Sequence, residues 1–113
     1  MYEMGDFIKD STTTNAYDAS TDLELPRGRD RHIAISNTHI SNTLDWKVVG
    51  FFTDQGSLIE HEIKAEAALS PSSAATYEIS EGYVKVLVRV KANTPDAQAT
   101  YTIEACQEMA SKA

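Results

Sequence analysis

The sequence predicts an all-β protein: an antiparallel β-sandwich of about seven strands. Three observations carry that prediction. Apolar residues recur at alternate positions through most of the chain, turn residues interrupt them about every ten residues, and no long segment follows the helical period of about 3.6.

Leu23 and Leu25 alternate ahead of Pro26, and with Gly28 the short first strand closes in an arginine-rich turn. Ile33 and Ile35 alternate with His32, Ala34 and Ser36, and the polar run from Asn37 to Thr43 reads as a loop. Trp46, Val48, Gly50 and Phe52 share one face of the next strand, with Lys47, Val49 and Phe51 on the other. Asp54-Gln55-Gly56 is a turn signal, because glycine supplies a positive φ without steric cost. Beyond it Ile59, His61, Ile63 and Ala65 oppose Glu60, Glu62, Lys64 and Glu66, the pattern of a half-exposed strand.

Leu69 to Ser73 reads as a loop, followed by Ala75, Tyr77 and Ile79 in alternation and by Glu81-Gly82 as a short hairpin connection. Val84, Val86, Val88 and Val90 form the strongest strand, with Lys85, Arg89 and Lys91 facing solvent. Asn93-Thr94-Pro95-Asp96 turns the chain into Ala99, Tyr101, Ile103 and Ala105, so the last two strands are expected to pair as a hairpin. Residues 1–22 are too polar to fold alone and read as an extended arm, residues 23–106 as the sandwich, and residues 107–113 as a tail of no assigned structure.

A barrel is the alternative architecture. One-sided alternation in the late strands and the position of Trp46 favour the sandwich. Leu69-Ser70-Pro71 ahead of Tyr77 resembles the corner before the late strands of fibronectin type III domains. That resemblance implies an Ig-like or fibronectin-like topology.

Composition narrows function by exclusion. The 113 residues carry 17 acidic and 10 basic side chains, a net charge of -7 that disfavours binding to nucleic acid phosphates. No run approaches the roughly 18 apolar residues of a membrane helix, and the first residues lack the pattern of a signal peptide. One cysteine permits no internal disulfide and fits synthesis in a reducing cytoplasm.

The chemistry-bearing residues form no constellation in the sequence. His32, His39 and His61 stand in no metal-ligand spacing, and His61 reads as a residue at the margin of the core. Cys106 has no local base or cation to lower its pKa. Glu60 and Glu62 share a strand face, but solvation balanced by Lys64 accounts for them. Phosphate-cradling and nucleophile-elbow motifs are missing, so the reading is a non-enzyme with no cofactor and no metal.

Two features exceed what folding needs. Arg27-Gly28-Arg29-Asp30-Arg31 gathers three of the ten basic residues in one turn, offering forked donors to a partner's carboxylates or carbonyls. Phe51 and Phe52 must face opposite sides of a strand; Phe52 shares parity with Trp46, which leaves Phe51 for a partner. The expected partner-binding residues are Tyr2, Phe7, Ile8 and Tyr17 in the arm, Arg27, Arg29 and Arg31 in the turn, and Phe51.

The order of a polar arm, Arg31 to Thr38, Asp45 to Gly50, Tyr83 to Lys91 and Ala99 to Ala105 resembles the small β-sandwich virion proteins of tailed phages and related viruses. Capsid decoration, or cement, proteins are among them. The resemblance implies a protein made in the host cytoplasm that binds the major capsid protein or other virion subunits and stabilises the assembled shell. It also implies a symmetric homo-oligomer, a trimer being one form, and an arm ordered on docking. Other head, neck or tail accessory roles share this texture. The rival class is a carbohydrate-binding module that stacks sugars on Trp46, Phe51 and tyrosines.

Overall fold

The computed structural model describes residues 2–53, 59–94 and 97–110, with the side chains of Tyr2, Glu3 and Ala110 outside that description. Eight strands follow in order among the described residues: β1 Tyr2–Thr12, β2 Leu23–Leu25, β3 Arg29–Asn37, β4 Leu44–Phe51, β5 His61–Leu69, β6 Ala74–Ile79, β7 Lys85–Ala92 and β8 Thr100–Ala110. A 3₁₀ turn, Ala19–Thr21, precedes β2. The expected turns at Asp54–Gly56 and Pro95–Asp96, and the last residues of the expected tail, lie outside the described residues.

The strands form two four-stranded antiparallel sheets, ordered β1-β8-β3-β6 and β2-β7-β4-β5. The all-β sandwich is therefore as the alternation predicts. Its connectivity is not Ig-like or fibronectin-like. Strands pair from the outside of the chain inward, β1 with β8, β2 with β7, β3 with β6 and β4 with β5. This is a long hairpin rolled into a sandwich, the jelly-roll order. Among consecutive strands only β4 and β5 share a sheet, so neither Glu81-Gly82 nor the connection from β7 to β8 closes a hairpin. Alternation reports which side of a strand is buried, and carries no signal for which strand lies beside it.

The N-terminal arm is the largest correction. β1 runs antiparallel to β8 over its whole length, from Tyr2 opposite Ala110 to Thr12 opposite Thr100. Main-chain hydrogen bonds to a neighbouring strand hold it, and so it needs few apolar side chains. The same ladder extends β8 to Ala110 and removes most of the expected tail. The 13–22 connection is also anchored, by bonds from the Thr13 amide to Ala99 O and from the Ala92 amide to Thr14 O, both 2.8 Å.

Between the sheets, Val86, Val88 and Val90 of β7 meet Ile33 and Ile35 of β3 and Tyr101 and Ile103 of β8 in one cluster with Trp46 and Val48. Tyr101 donates its phenol to Thr21 O at 2.7 Å, which satisfies the one polar atom it carries into the core.

Candidate functional site

Each sheet has an outer face, and the two are built differently. On β2-β7-β4-β5 the outward residues are Lys85, Leu87, Arg89 and Lys91 of β7 against Phe51, Val49, Lys47 and Asp45 of β4. The chain covers this face itself. Tyr17, from the connection before β2, lies under two ammonium groups, Lys47 Nζ at 4.5 Å and Lys91 Nζ at 5.2 Å from its ring, and donates its phenol to Glu66. Burial and the Glu66 carboxylate push the Tyr17 phenol above its ordinary range, and the same hydrogen bond holds Glu66 below the usual carboxylate range. Arg89 bridges Asp22 and Glu60, Lys91 reaches Glu66 at 3.7 Å and Lys85 reaches Glu24 at 3.9 Å.

The outer face of β1-β8-β3-β6 carries no such cover among the described residues. The strand registers set its side chains in rows across the sheet. One row is Asp6, Cys106, His32 and Glu78, and the next is Ile8, Glu104, Ala34 and Thr76. These two rows line an open trough of about 610 Å³. Asp6, Ile8, His32, Thr76, Glu78 and Glu104 are exposed, with Cys106 and Ala34 half-buried between them. His32 Nδ1 stands 3.3 Å from Glu78 Oε1.

The fold thus delivers what the sequence does not show locally, a histidine directly opposite Cys106. No hydrogen bond joins the thiol to the imidazole among the described residues, so the pair lacks the contact that activates a nucleophile. No group of three or more histidine, cysteine or acidic side chains is close enough to hold a metal ion among the described residues.

A third region is the end of the sandwich where β2 turns into β3 and β6 into β7. Arg31 is completely buried there. Its Nε donates to Gln107 Oε1 at 2.7 Å, and its Nη2 donates to Pro26 O at 2.9 Å and Tyr83 O at 2.8 Å. Desolvation pulls its pKa down. A bulge makes this possible: Arg29 is opposite Glu108 while His32 is opposite Cys106, so Asp30 and Arg31 share one place in the ladder. Asp30 takes φ 51 in the bulge, the left-handed region that aspartate tolerates better than most residues. Gly28 is required by the same packing, because a Cβ there would meet the Gln107 side chain at 2.7 Å and Glu108 O at 2.8 Å.

Beside this buried arginine, the rings of Phe52, His61 and Tyr83 form a triangle with centroids 5.6 to 5.7 Å apart. Tyr83 packs over Gly50, where a Cβ would come within 2.5 Å of its ring. Phe52 is 67% exposed and Phe51 is 3% exposed, reversing the expected assignment. The parity of Phe51 is as expected, on the outer face. That face is covered, with Lys85 Nζ 4.7 Å above the Phe51 ring, and β4 ends before alternation reaches Phe52.

The expected partner-binding residues therefore separate. Arg31 and Phe51 are buried and unavailable to a partner, and Tyr17 is engaged within its own chain. Phe7 is half-buried and packs against the core. Ile8 is exposed on the trough, Arg27 is exposed on the turn, and Arg29 is exposed and paired with Glu108 at 3.0 Å. The Tyr2 side chain lies outside the described residues. The parity shared by Arg31, Ile33 and Ile35 was a usable signal that Arg31 points inward. Asp6, Glu78, Glu104 and His32 had no such signal, because they converge from four strands.

No family model matches the chain, and no curated protein matches it in sequence. Solved structures do share its fold. The SPBc2 prophage-derived protein YomS superposes with TM-score 0.60 at 11% identity, covering 96% of this chain and 96% of that one. PirA gives TM-score 0.59 at 11% identity, over 93% of this chain and 95% of that one. The CBM22-1-GH10 portion of Clostridium thermocellum xylanase 10B, whose crystals hold xylohexaose, gives TM-score 0.50 at 8% identity, over 96% of this chain and 27% of that one. At such identities the likeness is one of architecture, and it agrees with a two-sheet sandwich.

Proposed function

We propose that this protein is a structural virion component, a capsid decoration or cement protein that docks on the assembled shell. It is made in the host cytoplasm, works as a homo-oligomer such as a trimer, and contacts the major capsid protein or other virion subunits. It is not an enzyme. The observation that carries the reading is an eight-strand jelly roll that covers one outer face with its own side chains and leaves the other, with its trough, without internal cover among the described residues. A rigid body with one open face suits bridging between subunits better than turnover. The fold shared with a prophage-derived protein supports the same reading. In this reading docking uses a sheet face and not a loose arm, because β1 belongs to the body.

Gradient sedimentation of a lysate containing assembled particles tests this. The protein is expected to migrate with the particles; recovery wholly in the low-mass fractions overturns the reading.

A carbohydrate-binding module is the second reading, favoured by the Phe52, His61 and Tyr83 ring cluster with Phe52 exposed. Retardation in a gel containing soluble xylan, abolished by Phe52→Ala, would select it.

A further inference from the structure

We infer that the trough on the β1-β8-β3-β6 face is a receptor for an extended, cationic polypeptide segment of a partner protein. The inference rests on the reading of this chain as a docking module and deepens it by naming the surface and the chemistry of its occupant.

Charge is the first argument. The outward positions of β1, β8, β3 and β6 include Asp6, Asp10, Glu78, Glu104 and Glu108, and the cations among them are Arg29, already paired with Glu108, and His32, already beside Glu78. Asp6 and Glu104 have no hydrogen bond or ion pair among the described residues. On the opposite face Glu24, Glu60 and Glu66 each meet a cation of their own chain. Asp6 and Glu104 are therefore the open-face carboxylates left for an external cation, beside an open trough.

Shape is the second argument. Asp6 and Glu78 sit at the two ends of one row, three strand spacings of about 4.8 Å apart, or about 14 Å. A segment crossing the strands in extended form advances about 3.4 Å per residue, so basic residues at positions i and i+4 match that span. In that row Cys106 and His32 lie between the two carboxylates, and in the adjoining row Ala34 and Ile8, the latter 67% exposed, add apolar surface. A partly apolar floor flanked by carboxylates suits lysine or arginine, whose stems cover apolar surface while their charged heads reach the carboxylates. A bare metal ion gains nothing from such a floor, and a nucleic acid is repelled by the carboxylates.

The test uses the full chain and a fluorescent nine-residue peptide with arginine at alternate positions, against the same peptide with glutamine. Anisotropy is expected to show binding of the arginine peptide only, weakened by about tenfold or more when Asp6→Asn and Glu104→Gln are combined, and weakened further by salt. Equal binding by the double variant, or no binding by the wild type, overturns the inference. A fold check by circular dichroism accompanies the variant, and Glu66→Gln on the opposite face serves as a control expected to bind normally. Particle sedimentation separates the two levels. A protein that travels with particles but ignores the peptide keeps the docking role and loses this surface, while one that binds the peptide but never travels with particles keeps the surface and loses the virion role.

Discussion

The two outer faces share one architecture, four antiparallel strands with alternate side chains pointing away from the core, and differ in what the chain lays over them. On one, Tyr17 and a set of ion pairs close the surface; on the other, a trough about 610 Å³ in volume stays open. A polar or apolar strand face is thus not by itself a binding face. What decides is whether another segment of the same chain reaches it. The 13–22 connection reaches the β2-β7-β4-β5 face because it must cross from the end of β1 to the start of β2 in the other sheet.

The most disruptive way to break the comparison is to delete residues 2–12. That strips β1 from the open face and exposes the long edge of β8, so the truncated chain is expected to lose cooperative unfolding and to aggregate, as read by thermal melts and light scattering. A soluble, two-state truncated protein would show that β1 behaves as a detachable arm after all.

Next in size is Arg31→Met. The substitution removes a buried charge but leaves Gln107 Oε1 and Tyr83 O without their donor, while Pro26 O keeps only its bond from Gln107 Nε2, and the orphaned oxygens outweigh the recovered desolvation. A loss of about 3 kcal/mol in urea unfolding is expected. An unchanged midpoint would mean the arginine is dispensable to the end of the sandwich.

Tyr17→Ala uncovers the closed face, at a cost of about 1 to 2 kcal/mol. The phenols also set an alkaline limit. Burial pushes Tyr101 up to about 12 and Tyr17 further still, from an ordinary value of 10.0. The folded protein therefore holds these protons more tightly than the unfolded one, and the stability they contribute is complete below pH 10 and declines as pH rises beyond it. Urea midpoints at pH 9 and pH 11 are expected to differ in the wild type and to differ less in Tyr17→Phe.

Glu104→Lys on the open face is the smallest effect on stability, within about 0.5 kcal/mol, since that carboxylate has no partner to lose among the described residues. The contrast with Tyr17→Ala, on the opposite sheet, measures how far the two faces differ. A large destabilisation by Glu104→Lys would mean that the open face is also under internal load.

Much of this was legible residue by residue. Val86, Val88 and Val90, Ile33 and Ile35, Tyr101 and Ile103 lie in the core as their alternation says. Parity placed Trp46 inward and Phe51 outward correctly. It fails at Phe52, which lies past the end of β4, and at Arg31 it points inward, against the partner contact that the charge suggests. The pairing of β1 is illegible because its few apolar side chains say nothing about main-chain hydrogen bonds to a strand about a hundred residues away.

The sequence by itself determined that this chain folds as an antiparallel sandwich, because a period of two and its turn residues are local properties that each strand carries alone. Only the tertiary structure decided the jelly-roll order, the incorporation of β1, the burial of Arg31 and the convergence of Asp6, Glu104, His32 and Glu78 on one face. Those depend on which strands lie side by side, and strand pairing is set by the packing of the whole core, with no trace in the spacing of neighbours along the chain.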